Sequence, residues 1–217
     1  MIAILRLSAR NLMRYHRRTL LTAGLIMIGV VAMLLFVRAA GWFNAAMIGQ
    51  ITDSMLGHLQ VHRKGYVASV DNLPLNLNLS QKMLERVKTE LAAEPEIAAI
   101  SVRLKLGAMF SNFTETTSIR LNGVNPQDED ATSPALRTRI SDGPNDGPLV
   151  APGELLIPDL IARGMKVKVG DNVVLIATNR DGSVNGKNFT VRGILEPVTG
   201  PGGRDGYLHI DDARELL

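Results

Sequence analysis

An uncharged apolar run near the N-terminus constrains this chain more than any other feature. From Thr19 to Val37 the sequence reads TLLTAGLIMIGVVAMLLFV, without a charged residue. At about 1.5 Å per residue, a helix of this length nearly matches a hydrocarbon core of about 30 Å. A cleaved signal peptide is the alternative, because small residues follow at 39–41, but the apolar region of such a peptide is shorter, roughly 7 to 15 residues. The run therefore predicts a membrane anchor.

The charges around this run predict its orientation. No acidic residue precedes Asp53, and only Arg38 follows the run closely. The basic residues concentrate before the run, as Arg6, Arg10, Arg14, Arg17 and Arg18. Because basic flanks stay in the cytoplasm, we expect the N-terminus inside and the rest of the chain outside. Residues 1–18 are then a cytoplasmic basic amphipathic segment, which either lies as a helix on the inner leaflet or serves only as a basic flank.

The high pI does not indicate nucleic-acid binding. The chain has 24 basic and 21 acidic residues and a pI of about 9.4. Once the five early arginines are set aside, the remainder is slightly acidic, with scattered lysines and few aromatic rings. A nucleic-acid surface needs a basic stripe with interleaved aromatics. Nucleic acid is therefore not a predicted partner, whereas membrane lipids are.

The helix is expected to continue beyond the membrane. No proline interrupts the sequence after Val37, and Trp42 lies where an interfacial aromatic anchor is expected. We predict a span over about 19–40, a helix and stalk over 19–55, and an extracytoplasmic domain over 56–217. Gly41, Ala45 and Gly49 place small side chains every four residues, which would let a partner helix approach closely.

The remaining sequence predicts a mixed α+β domain. Leu59 and Val61 alternate with polar residues, which indicates a strand ending at Gly65. Ser80 is a candidate N-cap for a helix over 81–94. The other predicted elements are a strand hairpin from 97–110 and 116–124, loops over 125–134 and 141–153, and a short helix over 157–164 closed by Gly164. Strands follow over 165–176, interrupted by a turn at Gly170–Asp171, and over 188–195, and a tip at 178–187 joins them. A strand over 207–210 and a final helix capped by Asp211 complete the prediction.

No pattern in the sequence predicts catalysis or a cofactor. His58 and His62 would share a strand face, but neither a helical His-Glu-x-x-His motif nor a nearby third ligand accompanies them. A Gly-x-Ser-x-Gly elbow and any cysteine are missing from the sequence, and the Asp211–Asp212 pair fits helix capping. We therefore predict a protein that is not an enzyme and has no metal or cofactor.

Several motifs in order resemble the FtsX/MacB-type permeases of ABC transporters, and the lipoprotein-releasing permeases among them most. The motifs are RNL at 10–12, GHLQVHRKGY at 57–66, LNGVNP at 121–126, PGE at 152–154, LIARGMKVKVGD at 160–171, FTVRGI at 189–194 and GYLHIDDA at 206–213. This resemblance implies a MacB-like periplasmic domain between the first and second of four spans. The later three spans are not in this sequence, so the resemblance covers the N-terminal part of such a permease.

The resemblance also implies partners and a location. A separate ABC ATPase subunit would hydrolyse ATP, because this chain has no Gly-rich Walker loop. A second permease subunit, identical or different, would complete the transmembrane dimer in the bacterial inner membrane. Lipoprotein cargo and a periplasmic carrier are the further expected partners. The alternative hypothesis is a single-pass, membrane-anchored extracytoplasmic binding or sensor module.

The predicted hairpin tip and the small-residue line are the candidate partner contacts. A related permease bears a longer, proline-containing hook at the place of this tip, where it docks the carrier. The tip here is short and proline-free, so its residues Asn179, Arg180, Asp181 and Gly182 indicate either turn chemistry or a carrier contact.

Overall fold

The computed structural model describes Arg6, Arg10 and residues 13–179, 181–198 and 204–217. The predicted amphipathic segment 1–18 therefore lies largely outside the described residues. The chain forms two compact units, Met1–Ile48 and Gly49–Leu217.

The first unit is dominated by one long helix, α1, which covers His16–Ile51. None of its side chains is buried, and it has no proline. Among the described residues it is the one helix that is long and apolar enough to cross a membrane. The prediction of one long apolar N-terminal helix followed by an α+β domain is thus confirmed.

The second unit begins with the last residues of α1, and its described residues form seven strands. A π-helical turn at Thr52–Leu56 follows α1 directly. The other elements are 3-10 turns at Val67–Asn72, Leu75–Leu77 and Pro134–Arg139, the helices α2 (Gln81–Ala92), α3 (Pro126–Thr132), α4 (Asp159–Met165) and α5 (Ile210–Leu216), and the strands β1 (Arg103–Ser111), β2 (Thr116–Val124), β3 (Ile140–Asp142), β4 (Glu154–Pro158), β5 (Asn172–Thr178), β6 (Val184–Leu195) and β7 (Gly206–His209).

Six of the strands pair in a closed ring. Around the ring the order is β1, β2, β7, β4, β6 and β5, and β5 pairs with β1 again. The β2–β7 and β4–β6 pairs are parallel, and the other pairs in the ring are antiparallel. Strand β3 adds to the outside of the ring by pairing with the end of β6. Closure gives nearly every ring strand two neighbours, which limits exposed sheet edges.

Two apolar clusters occupy the two faces of this sheet. The larger one combines alternate residues of the ring strands with residues of α4 and α5, including Leu106, Phe110, Leu121, Phe189, Val191, Met165 and Leu216. The smaller one lies on the opposite face, and its members are Val124, Leu136, Ile140, Leu149, Val150, Leu156, Leu195 and Tyr207. Alternation along the strands explains the division, because successive side chains point to opposite faces.

Helix α2 and the β1–β2 hairpin confirm two sequence predictions. Ser80 caps α2, since its hydroxyl accepts a hydrogen bond from the Met83 amide at 3.4 Å. Strands β1 and β2 pair antiparallel over their full length, from Arg103 opposite Val124 to Ser111 opposite Thr116. Strand β1 starts six residues later than the predicted hairpin arm at residue 97, because residues 97–102 have no strand partner among the described residues.

The predicted strand over 59–65 is wrong. Residues 57–63 are irregular and a turn follows at Lys64–Gly65. The Leu59 side chain is 73% exposed, so the alternation there does not bury an apolar face. A strand also needs a neighbour for its backbone hydrogen bonds, and the described residues supply none here.

The predicted loop over 125–134 is mostly helical. Asn125 caps α3, because its side-chain oxygen accepts a hydrogen bond from the Gln127 amide at 3.1 Å, and Pro126 occupies the first turn. Asn-Pro is a turn signal, but an N-cap followed by proline is equally a helix start. In the structure, Asn125 and Pro126 begin a helix.

Four predicted boundaries are also corrected. Helix α4 ends with a left-handed Lys166 instead of Gly164, and the strand predicted from Met165 begins only at Asn172. The imidazole of His209, rather than Asp211, caps α5 by accepting a hydrogen bond from the Asp211 amide at 3.3 Å. Strand β6 begins at Val184, which shortens the hairpin tip to 179–183.

Candidate coupling site at the end of the long helix

The end of α1 is built into the core of the second unit. Ser54 and Met55, in the π-helical turn, are each 2% exposed. The Ser54 hydroxyl donates to the Gln50 carbonyl at 2.5 Å, and the Gly57 amide donates to the Thr52 carbonyl at 2.9 Å. Gly57 then turns the chain with a φ of +70°, a conformation that favours glycine. The helix thus ends at a fixed point within packed residues.

Two arginines satisfy the carbonyl groups that the helix end leaves open. A helix C-terminus carries unpaired carbonyls and a partial negative charge. The guanidinium of Arg103, on β1, donates to the Met55 carbonyl. The guanidinium of Arg139, which ends a 3-10 turn, donates to the Ser54 carbonyl at 3.3 Å. Two cations therefore cap the helix, which complements both its hydrogen bonding and its dipole.

A fully buried carboxylate balances this charge. Glu129, on α3, is 0% exposed and forms an ion pair with Arg103, whose side chain is 13% exposed. Arg103 Nε lies 3.1 Å from Glu129 Oε2, and the Ser101 hydroxyl donates to the same oxygen at 2.7 Å. Arg103 also donates to the Ser133 hydroxyl at 2.8 Å. Burial alone lowers the pKa of Arg103, but the charge and hydrogen bond of Glu129 raise that pKa above its ordinary value.

Arg139 is held in place by contacts with the residue after β6 and with β7. Its Nε and a terminal nitrogen donate to the Glu196 carbonyl at 3.3 and 3.2 Å, just past the end of β6. Its guanidinium also bonds to the hydroxyl of Tyr207 on β7, although burial still lowers the pKa of Arg139. Burial raises the pKa of Tyr207 to about 12. We call Arg103, Glu129, Arg139 and Tyr207 together the buried arginine cluster.

Polar groups continue along the same sheet face. Asp205 is 5% exposed and accepts hydrogen bonds from Arg120 at 3.1 Å and from Asn122 at 3.4 Å. Lys105 lies opposite Asn122 in the β1–β2 ladder, and burial lowers the pKa of its amine. These side chains extend the charged layer from the helix end toward the middle of the sheet.

Sequence reasoning missed this cluster for identifiable reasons. Arg103 alternates with Leu104, and such alternation favours a polar, solvent-facing position for Arg103. Glu129 and Arg139 fell in or next to predicted loops, where charge is ordinary. The usable signal was the arginine-rich stretch at 137–139 beside the acidic 128–130, because such charges pair when folded together.

The predicted hairpin tip is a self-contained turn in its described residues. Asp181 accepts hydrogen bonds from the Ser183 amide at 2.9 Å and its hydroxyl at 2.7 Å, which lower the pKa of Asp181. The Gly182 amide donates to the Asn179 carbonyl at 3.0 Å, and Gly182 has a φ of +87°. Arg180 lies outside the described residues. The turn chemistry is therefore present, and the contact with a carrier stays a prediction.

The line of Gly41, Ala45 and Gly49 leaves open space around its small side chains. A methyl group added at Gly41 would meet nothing within 4 Å, and one at Gly49 would meet only Asp53 Oδ2 at 3.7 Å; Ala45 is exposed.

The two histidines have other contacts. His58 Nε2 lies 3.3 Å from Asp53 Oδ1, and the His62 ring stacks on Tyr66 with centroids 4.8 Å apart. The described residues hold no group of three His, Cys, Asp or Glu side chains suited to a metal.

Comparison with known proteins gives a family match and distant similarities to solved structures. Residues 19–217 match the family described as the MacB-like periplasmic core domain. A domain of a permease-like protein from Porphyromonas gingivalis is 18% identical, with 57% of this chain and 55% of that one covered and a TM-score of 0.40. The extracellular domain of the noncanonical ABC-type transporter YknZ, from Gram-positive bacteria, is 17% identical, with 60% and 64% covered and a TM-score of 0.42. Among curated proteins none matches the chain.

The chain is a membrane-anchored protein with an α+β domain outside the span, and the matching family covers both parts. It belongs to the MacB-like periplasmic core domain family, which is the periplasmic domain of ABC-transporter permeases. The chain spans less than two thirds of the length of the two solved structures that it resembles.

Proposed function

We propose that this chain acts as a transmembrane permease subunit of an ABC transporter and couples ATP hydrolysis to movement of its periplasmic domain. The observation that carries the proposal is the course of α1. It runs unbroken from the apolar span into the π-helical turn, where the arginine cluster holds the carbonyls of the buried residues Ser54 and Met55. A displacement of such a helix is passed on to the domain, because packed cores do not deform continuously.

The length of α1 supports the same function. Thirty-six residues of helix measure about 54 Å, against a hydrocarbon core of about 30 Å. Roughly 20 Å of helix therefore projects beyond the apolar core. Basic residues before the span and their scarcity after it favour a cytoplasmic N-terminus, so the projecting part belongs on the periplasmic side of the inner membrane.

The proposed partners follow from permease function. An ABC ATPase subunit on the cytoplasmic side supplies the chemical energy, and a second permease subunit contacts the line of Gly41, Ala45 and Gly49. Lipoprotein release is the proposed transport process, with lipoprotein as cargo and a periplasmic carrier as acceptor. The tip at Asn179, Asp181 and Gly182, of which the last two are exposed, together with the neighbouring Arg180, is the proposed contact for that carrier.

Affinity purification of the tagged protein from membranes in mild detergent tests the proposal. We expect an ABC ATPase to co-purify and to hydrolyse ATP in the complex. A tagged version that carries only the span and an unrelated domain is the control for non-specific recovery. If the chain purifies alone and without ATP hydrolysis, the proposal fails, and a single-pass binding or sensor module becomes the better explanation.

A further inference from the structure

The contacts of the buried arginine cluster tie the helix end to five separate parts of the domain. Arg103 joins the Met55 carbonyl to β1, to α3 through Glu129, and to Ser133. Arg139 joins the Ser54 carbonyl to the residue after β6 and to β7 through Tyr207. The amide of Glu196 returns a hydrogen bond to the Arg139 carbonyl at 2.7 Å. A movement of residues 54 and 55 against the domain would break bonds to several of these parts at once.

Both the shape and the burial of these side chains oppose such movement. A guanidinium is planar and holds its donors in a fixed fork, so its bonds fix direction as well as distance. Arg139 is 4% exposed and Glu129 is 0% exposed, so water does not replace a bond that opens. The cost of separating a buried charge from its partner is much larger than at the surface. Met55 adds apolar packing at 2% exposure.

We propose that the last two turns of the long helix, Gly49–Leu56, and the α+β domain form one rigid body, and that Arg103 and Arg139 are the positioning residues that lock it. The lock makes Gly57 a bend inside the rigid body rather than a hinge. Its consequence for transport rests on the proposed function: motion of the helix reaches the domain without loss at their junction.

Distances between spin labels test the lock directly. The chain contains no cysteine, so introduced cysteines are labelled uniquely. One pair, Gln50→Cys with Leu160→Cys, measures the helix end against the domain. A reference pair, Leu160→Cys with Val184→Cys, lies within the domain at positions that are 57% and 64% exposed. The full chain is measured in detergent by double electron–electron resonance, diluted with unlabelled protein so that only distances within one molecule count.

The protein with both arginines intact is measured first. If the lock exists, the distribution of helix–domain distances is no wider than the distribution of the reference pair. A helix–domain distribution more than twice as wide as the reference overturns it, whatever the variants do.

The variants then assign the lock to its residues. Arg139→Lys keeps the charge but cannot bond to Ser54, Glu196 and Tyr207 together, so we expect the helix–domain distribution to widen at least twofold while the reference stays unchanged. Arg137→Lys is the matched control, because Arg137 lies on the same 3-10 turn and pairs with Asp130 without contacting the helix. Equal widths in the two variants refute the assignment. If Arg139→Lys also widens the reference pair, Arg103→Lys is measured by the same criterion.

These distances do not depend on an ATPase or on transport. A narrow distribution that widens in Arg139→Lys supports the lock even if no ATPase co-purifies. Conversely, recovery of an ATPase with a wide wild-type distribution supports the permease and refutes the lock.

Discussion

At the scale of single residues, the position of each charge matters more than the number of charges. Arg103 and Arg139 are buried because a helix end offers carbonyl oxygens, and Glu129 is buried because the Arg103 guanidinium needs a counter-charge. Arg137 and Asp130, close by in sequence, form a pair whose side chains remain 27% and 29% exposed. The same residue types therefore carry different energetic weight a few positions apart.

Replacing Glu129 should separate these two kinds of ion pair. Glu129→Gln leaves a buried guanidinium without its counter-charge, so we expect a loss of about 3 kcal/mol or more in the free energy of unfolding. Asp130→Asn breaks only the partly exposed pair with Arg137 and should cost about 1 kcal/mol or less. Urea unfolding followed by circular dichroism measures both variants. Similar losses in the two would contradict the importance given to burial.

Tyr207 should give the domain a dependence on alkaline pH. Burial raises its pKa from 10.0 to about 12, so folding favours the neutral phenol. The resulting stability is complete below pH 10 and is lost as the pH rises toward 12. A shift of this size corresponds to roughly 3 kcal/mol. We expect the free energy of unfolding of Tyr207→Phe to fall less steeply between pH 10 and 12, and parallel curves for the two proteins would refute this.

At the scale of elements, close approach decides where helix α5 lies on the sheet. Gly123, on β2, faces α5, and a methyl group added there would lie 2.4 Å from the Ala213 Cβ. Ala213 itself is completely buried. Helix α5 therefore contacts the strand backbone directly, and its position on the sheet depends on the absence of a side chain at Gly123. This close packing brings Asp212 to within 2.8 Å of the Gly153 amide and 2.7 Å of Lys187 Nζ.

Gly123→Ala should destabilise the domain. The added methyl group forces α5 away from β2, and overpacking of a filled core costs typically about 1–3 kcal/mol. Gly186→Ala, on β6, is the control, because its methyl group would have no neighbour closer than 3.9 Å. Thermal unfolding should show a lower Tm for Gly123→Ala and little change for Gly186→Ala. A reversed order would mean that α5 does not sit as described.

At the scale of the whole molecule, one helix joins a membrane span to a domain with its own core. The apolar residues of α1 are exposed, as expected for a segment that contacts lipid, while those of the domain fill two clusters. The helix is thus suited to lipid and the domain to water. The proposed function depends on the orientation of the span and on the continuity of α1.

Labelling of single cysteines tests the orientation. Val184→Cys should react with a membrane-impermeant maleimide in intact spheroplasts, because the basic N-terminal flank predicts that the domain lies outside. Met13→Cys, exposed in the structure at 78%, should react only after lysis. The opposite pattern would place the domain in the cytoplasm and refute the proposed permease orientation.

A flexible insertion tests the continuity of the helix. A Gly-rich segment inserted near Asn44, in the complete permease, interrupts α1 between the span and the domain. We expect transport to be lost while the ATPase remains bound, since the proposed ATPase contact is on the cytoplasmic side. An insertion of equal length built from Ala, Glu and Lys keeps a helix and should retain more transport. Unchanged transport in the Gly-rich variant would refute coupling through the helix.

What the sequence determined by itself was local. The apolar run 19–37, the Ser80 cap and the β1–β2 alternation each depend on neighbouring residues, and each appears in the structure. The segment at 59–65 alternates equally well but lacks a strand partner, so pattern alone was misleading there. The capping of Met55 by Arg103 joins residues 48 positions apart. Only the tertiary structure decided that contact, because the burial of a charge depends on which distant groups satisfy it.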